Sequence, residues 1–579
     1  MILTGFVLFM VTGRTSAQYP GVSISVGGQV QTFGASHILI TDGGFRNNGT
    51  FTASDDNTVT FGGSSPQTIE GTAATTFNDL TINNTGGVVL AGENKSVRRK
   101  LLCNGPTNTN GILTLISTAS GTALIDGSGT ASVTGNVTMQ RFLPSGFGYK
   151  YFSSPFQSST VNEFSDEPVT ALYMYDENRL VGGVPASGWV NYNEPSNPLI
   201  PLSGYAVNFG SETAEKTVDM TGTVNDGAIS IPVWNNNQIY TGGFNLCGNP
   251  YPSPVDWNKI NQLSTNIDDA VYYFKASSTD VYGGSYSTFI NGISSDGLAT
   301  NIIPSMQGFF VHVTNGSWPV SGTLAMNNSV RLTDLTHAFI KSATLGPEQL
   351  LRLSASFTDT PESEDPAVIY FDYEATSEFD TSLDALKLMN TDSGIPSLYS
   401  LSASGTKLSI NSLPPVTVGT VKVPLGIKTD RGGTVVFRIL DIDPALMQMS
   451  MYMTDSVMNR SYSLLPDMEY SVDLPAGDYK SRFFLSFSNS ATALPEYIVA
   501  GAEPFTVHHS HGVLTAGINS LPGPEGLLSI YNISGQKLTE IKIYEPGEYL
   551  FRTDIPDGIY IITFSSAQAR SSKKMAVIN

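Results

Sequence analysis

The chain reads as all-β and multidomain, and three observations carry that reading. Apolar residues recur at every second position in short runs, as a half-buried strand requires, and each run is bounded by Gly-Asn, Gly-Gly or Asn-Gly turns. Charged residues make up only 14% of the sequence, against about 25% in an ordinary globular chain. Gly, Ser, Thr and Asn take their place, which suits strands and turns on an exposed protein. Finally, 579 residues exceed what one hydrophobic core can organise, and length alone predicts about three to five domains.

The elements follow in order. Residues 18–140 carry strand signals such as Gly44–Phe51, Thr58–Phe61, Gln67–Gly71, Phe77–Asn84 and Gly87–Leu90. Two architectures satisfy this pattern: solenoid rungs that bury a stacked interior, or a sandwich of similar strands. The alternation bounded by Gly or Asn favours a right-handed solenoid, while the irregular period keeps the sandwich open. In residues 141–345 aromatic residues rise, with strands at Tyr149–Phe152, Ala171–Tyr175 and Gly204–Val207. The run Gly243–Trp257 (GFNLCGNPYPSPVDW) is answered by Ala270–Phe274 and Gln307–Val313. Residues 346–488 give a further unit, with strands at Leu350–Ala355, Ala367–Phe371, Ser471–Leu474 and Arg482–Phe487. A jelly-roll or immunoglobulin-like sandwich packs such strands, and Glu378–Lys387 reads as one helical turn or a loop. A Ser/Ala/Thr linker follows at Ser488–Ala493, without apolar residues large enough to hold it down.

The ends and the charge balance bound the setting. The apolar run Ile2–Val11, followed by small residues Thr15-Ser16-Ala17, has the length of a signal-peptide core and predicts cleavage after residue 17. It departs from the usual pattern in having no Lys or Arg before the run. It is too short to span a bilayer, and the mature chain is expected to have no transmembrane helix. Fifty acidic against thirty basic residues give a net charge of −20, a field that repels phosphate backbones and argues against nucleic acid. The basic run Arg98-Arg99-Lys100 is expected on a solvated loop. Two cysteines, Cys103 and Cys247, make no disulfide framework, and their placement in different domains predicts that they stay unpaired.

Chemical motifs are sparse. The sequence contains no GxSxG, HExxH, CxxC or GxxxxGK[ST]. His508, His509 and His511 form a cluster that reads as an exposed strand or loop before it reads as a metal site. Carboxylates pair locally at Glu364-Asp365, Asp380/Asp384 and Asp441/Asp443. A glycosidase pair must face across a sugar-sized cleft, which neighbours on one loop rarely do. Asp441-Ile442-Asp443 offers hard oxygens at alternate positions but no third or fourth ligand in the spacing, so no cofactor is expected, with calcium as the alternative. The better lead is aromatic: Tyr251 and Trp257 flank Pro250, Pro252 and Pro254, which fix φ and stiffen the loop. A stiff aromatic loop can stack on a sugar ring, with Asn249 and Asp256 bonding its hydroxyls. The competing expectation is that both rings plug the unit's own core; Trp189 and Trp318 share the ambiguity.

The last stretch, Pro495–Asn579, combines "YNISGQKL" (Tyr531–Leu538), "DGIYIITF" (Asp557–Phe564) and a terminal "KKMAVIN" (Lys573–Asn579). In that order at the end of a chain, these motifs resemble the C-terminal sorting domain (type A) of type IX secretion cargo in the Bacteroidetes. The Gly243–Trp257 series is similar to a module found in such cargo. The resemblance implies an immunoglobulin-like domain at 495–579, read by the type IX translocon and sorting machinery through Tyr531, Gly535, Gln536, Lys537, Gly558, Tyr560, Lys573 and Lys574. It further implies a protein that is secreted or held at the outer cell surface. Ile559–Phe564, nearly all apolar, reads as a strand covered on both faces, with Lys573 and Lys574 blunting the sheet edge. The expected function is a non-catalytic structural or adhesive surface protein, with glycan or surface proteins as partners. The alternatives are a carbohydrate-binding adhesin and an unrecognised extracellular enzyme such as a polysaccharide lyase.

Overall fold

The computed structural model describes residues 20–332, 349–417, 419–466, 468–489, 505–510, 513–518, 525–552, 558–566 and 570–577. The expected signal peptide therefore lies outside the described residues, as do the side chains of His508, His509 and His511. The described chain is almost entirely β, with one short α-helix at Trp257–Leu263, and no helix among its described residues is long and apolar enough to cross a membrane.

The N-terminal region is a parallel solenoid. Gly21–Ile24, Gly44–Asn47, Gln67–Glu70, Val88–Leu90, Thr107–Asn108 and Val133–Thr134 stack in that order as one sheet. His37–Ile40, Thr58–Phe61, Thr75–Ile82, Lys95–Cys103, Leu113–Leu115 and Val137–Leu143 form the second. His37 lies beside Thr58 and Thr58 beside Asp79, so each rung returns its apolar residues to the same interior. There Phe45 packs edge-on to Phe51 and Phe77, with ring centroids 5.3 and 5.7 Å apart. The rung corners are locked by buried asparagines. Asn47 donates to Ala74 O and Thr75 Oγ1 of the next rung, and its Oδ1 accepts from Gly49 N. Close stacking at that corner requires glycine: a Cβ on Gly71, which has φ +127°, would sit 2.0 Å from the Asn47 carbonyl oxygen.

The run Arg98-Arg99-Lys100 corrects its expectation. It lies within a strand, at a register shift between Val97 and Lys100. Its side chains reach Asp55, Asp79 and Asp126 rather than water alone, tying one rung to others.

The regions then run together. The last solenoid strand, Val137–Leu143, pairs antiparallel with Lys216–Gly222, from Val137 beside Gly222 to Leu143 beside Lys216. Phe152, Phe156, Phe164, Tyr205 and Phe209 of the next region continue the solenoid's own apolar interior. That region holds one sheet of Tyr149–Phe152, Tyr205–Asn208, Ala171–Tyr175 and Trp189–Asn191. A second is built on Phe244–Gly248, Gly308–His312, Val271–Ala276 and Gly284–Ile290.

Beyond residue 349 one long sheet folds over on itself. Its order runs from Arg460–Ser463 through Gly477–Ser488, Thr420–Thr429, Asp365–Phe371 and Leu350–Phe357 to Glu469–Leu474. The two ends meet: the Tyr462 and Tyr470 rings lie 4.3 Å apart, and the Tyr470 hydroxyl donates to buried Asp455 at 2.6 Å. Glu378–Lys387 is a loop entering the short strand Ala385–Leu386. A second apolar cluster spans the seam with the preceding region: Tyr151, Phe244, Tyr272 and Phe310 pack with Val368, Tyr370, Ala385 and Ile410.

The C-terminal domain is a two-sheet sandwich. Phe505–Ser510, Val513–Ile518 and Gly547–Arg552 face Lys537–Ile543, Gly526–Asn532, Gly558–Ser566 and Arg570–Val577. Phe505, Leu514, Leu528, Ile530, Ile562 and Phe564 fill its core.

Because apolar side chains cross both seams, residues 20–488 should unfold as one cooperative unit. Differential scanning calorimetry should resolve one transition for this body; three separate transitions would contradict the shared cores.

Candidate functional site

The proline-rich loop is built into the core. Tyr251 and Trp257 are fully buried, and their polar atoms are used internally. The Tyr251 hydroxyl donates to Gly227 O at 2.6 Å and Trp257 Nε1 to Asp269 O at 2.7 Å. Buried Asn249 donates to the carbonyls of Ser253, Ile303 and Pro304, while its Oδ1 accepts from Tyr251 N. Asp256 caps the helix, accepting from Asn258 N at 3.1 Å and from Asn301 Nδ2 at 2.7 Å. The four residues predicted to hold a sugar do come together, but they present neither an open ring face nor a spare donor, so the core-plug reading describes them. Trp189 packs between Tyr151, Tyr175 and Phe310, whereas Trp318 is exposed.

Sequence reading missed Arg331, which organises this loop from a distance. Its buried guanidinium donates to Ser253 Oγ at 2.8 Å and to the solenoid carbonyl of Ile125 at 2.6 Å, and it lies 5.2 Å from the Tyr251 ring. Ile125 N in turn donates to Pro252 O. The loop is thus the clasp between solenoid and middle region.

The carboxylate pairs are likewise absorbed by the fold. Asp365 is buried against Lys387 at 2.5 Å and accepts from Leu398 N, whereas Glu364 stays near the surface. Asp384 accepts from Asp380 N and from both the amide and the hydroxyl of Ser412; burial nonetheless pushes its carboxyl up to about 6. Asp441 pairs with Arg352 at 2.9 Å, and Asp443 accepts from Ala445 N in the following turn. Among the described residues no group of three or more His, Cys, Asp or Glu is placed to hold a metal. Cys103 and Cys247 are both buried and unpaired; burial raises both thiols, Cys103 to about 11.

The C-terminal domain brings its motif residues together. Strand Gly526–Asn532 enters the turn at Gly535, where φ is +81°. Asn532 Oδ1 holds that turn by accepting from Ser534 N and Gln536 N. Asn532 lies beside Tyr560, and Gly558 beside Val577. All three motifs therefore reach the same end of one sheet. The register also aligns Lys537 with Tyr531, Tyr531 with Ile561, and Ile561 with Lys574. Lateral neighbours in a sheet share a face, and this row faces solvent: Lys537 and Lys574 are exposed, Ile561 is 37% exposed and Tyr531 half-buried. Ile559, at 43%, adds to it.

This corrects the expectation that Ile559–Phe564 is covered on both faces. Tyr560, Ile562 and Phe564 point inward, while Ile559 and Ile561 do not. Lys573 lies on the inward side, its ammonium 5.9 Å from the Phe505 ring, so the two adjacent lysines serve opposite faces. Both sit on Arg570–Val577, which has one partner strand among the described residues and so forms the sheet edge.

A family model described as a domain of unknown function, DUF8693, matches residues 45–487. The chain belongs to this family. The match starts in the second solenoid rung and ends in Gly477–Ser488, the sandwich strand preceding the linker. The DUF8693 region thus coincides with the body whose cores are continuous, and it leaves out the C-terminal sandwich. No curated protein matches the chain.

Two outcomes follow for the DUF8693 body. Trp257→Ala should destabilise it by about 3–5 kcal/mol, from lost burial and a cavity, measured by urea unfolding; a near-neutral result would release the loop from its core role. For Asp384, a folded-state pKa above the unfolded value of about 3.9 means the folded protein binds the extra proton. Its contribution to stability is therefore full below pH about 4 and lost as pH rises through about 6. Asp384→Asn should remove that decline, read as midpoint against pH.

Proposed function

We propose that this protein is type IX secretion cargo of the Bacteroidetes kind, secreted or displayed at the outer cell surface. In this reading its DUF8693 body is a non-catalytic structural or adhesive module and its C-terminal sandwich is the sorting signal. One observation carries the reading: residues from three separated motifs, Tyr531 with Lys537, Ile561, and Lys574, align in a single solvent-facing row. A core needs no such row. A half-buried aromatic ring and an exposed aliphatic side chain between two ammonium groups give a receptor apolar area together with charge-based orientation.

The near neutrality of this domain supports the same division of labour. Residues 495–579 hold eight acidic and six basic side chains, so nearly all of the −20 net charge resides in the preceding chain. The body's carboxylate pairs are committed to ion pairs and turns, which supports a structural role over a catalytic one.

Deleting Gly526–Asn579 should leave the protein in the periplasm. The finer test is Tyr531→Ala with Lys574→Glu, which leaves the sandwich core intact. Surface delivery should fall by about tenfold, the equivalent of about 1.4 kcal/mol of recognition. Undiminished delivery of either variant, measured by surface protease accessibility, would reject the sorting role.

A further inference from the structure

Two loop tips of the middle region carry neighbouring exposed apolar side chains. The first is the hairpin of Leu180–Val181 and Val184–Pro185, turned by Gly182 and Gly183, both with positive φ. Successive strand residues point to opposite faces, yet Leu180 and Val181 are 55% and 57% exposed, and Val184 is 64% exposed. Both faces of the hairpin are therefore open. The second tip, between Ile229–Asn235 and Phe244–Gly248, presents Ile239 at 81% and Tyr240 at 64%.

The tips are fastened to each other by a buried carboxylate at their base. Glu177, which is 2% exposed, accepts from Asn236 N at 3.1 Å and Asn236 Nδ2 at 2.8 Å, and Thr241 Oγ1 lies 3.2 Å away. Arg179 Nη1 donates to Ser187 O, closing the hairpin. Asn235 Nδ2 donates to Val313 O, rooting the second loop. A buried, multiply bonded acid is expensive to maintain for loops with no role in the core. It holds the apolar tips rigid, so that little ordering entropy remains to be lost on binding.

We propose that these paired tips insert into the interfacial layer of a lipid bilayer with neutral headgroups. A flat protein surface covers one side of a protrusion, whereas a bilayer closes around it, and the hairpin exposes Leu180, Val181 and Val184 on both of its faces. Residues 180–188 and 234–243 contain no charged side chain; the neighbouring charge, Arg179, is held at the hairpin base by Ser187 O. Tyr240 has the amphipathic ring that settles at headgroup depth. The net charge of −20 opposes an anionic surface, which sets the preference for neutral lipid. This inference is independent of the sorting role of the C-terminal domain.

The test is flotation of the full chain with phosphatidylcholine vesicles, alongside a Tyr240→Trp variant in vesicles containing brominated lipid. Co-flotation is expected, with partitioning at least tenfold weaker for Leu180→Ser/Val181→Ser/Val184→Ser/Ile239→Ser at unchanged melting temperature. The Tyr240→Trp chain should show bromolipid quenching in excess of that of the wild-type tryptophans. Absence of flotation, flotation undiminished in the quadruple variant, or no added quenching would overturn the proposal, as would binding confined to vesicles containing phosphatidylglycerol.

Discussion

The antiparallel ladder between Val137–Leu143 and Lys216–Gly222 turns a parallel stack into the foundation of the units that follow. A solenoid ends in a row of unpaired amides and carbonyls above an open apolar cross-section. Here the closing strand comes from later in the chain, so the intervening segment must fold back over the open end. Its Phe152, Phe156, Phe164 and Phe209 complete the solenoid interior. Arg331 fixes the angle of that junction, bonding Ile125 O on one side and Ser253 Oγ on the other. Burying a guanidinium is costly, and it is tolerated here because its hydrogen bonds replace those of water.

The same economy recurs at the second seam. Tyr272 accepts from Leu386 N through its hydroxyl, and Arg352 donates to the carbonyls of Ser294 and Ser295. Close by, His312 Nδ1 lies 2.5 Å from Asp268 Oδ2, both fully buried. In an open cleft such a pair would invite a catalytic reading. Enclosed among Phe244 and its neighbours, it works as a positional constraint, since removing one partner of a buried pair costs about 3–5 kcal/mol. These buried side chains hold neighbouring segments in place. Exposed apolar side chains lie at the periphery, on the C-terminal sheet face and at the two tips of the middle region.

Much of the fold was legible because strand period and turn chemistry are local. Phe77–Asn84, Ala171–Tyr175 and Arg482–Phe487 follow directly from alternation bounded by Gly, Asn or Pro. The cores shared between regions were not legible, because a composition shift marks a change of packing partner as readily as a gap in the core: Tyr151 and Val368 differ in sequence neighbourhood yet share one cluster. The Tyr251–Trp257 loop was visible as rigid and aromatic, but its buried state depends on Arg331, distant in sequence. Lys573 and Lys574 looked equivalent, and pleating alone sends them to opposite faces.

The sequence by itself determined the all-β class and the short N-terminal and sandwich strands, since each rests on residues within a few positions of one another. Tertiary structure alone decided which apolar side chains stay outside. Ile561 and Ile562 are chemically identical neighbours, and one is exposed while the other is buried. The reason is register: only pairing with Tyr531 and Lys574 on the flanking strands sets which face meets the opposing sheet and which meets water.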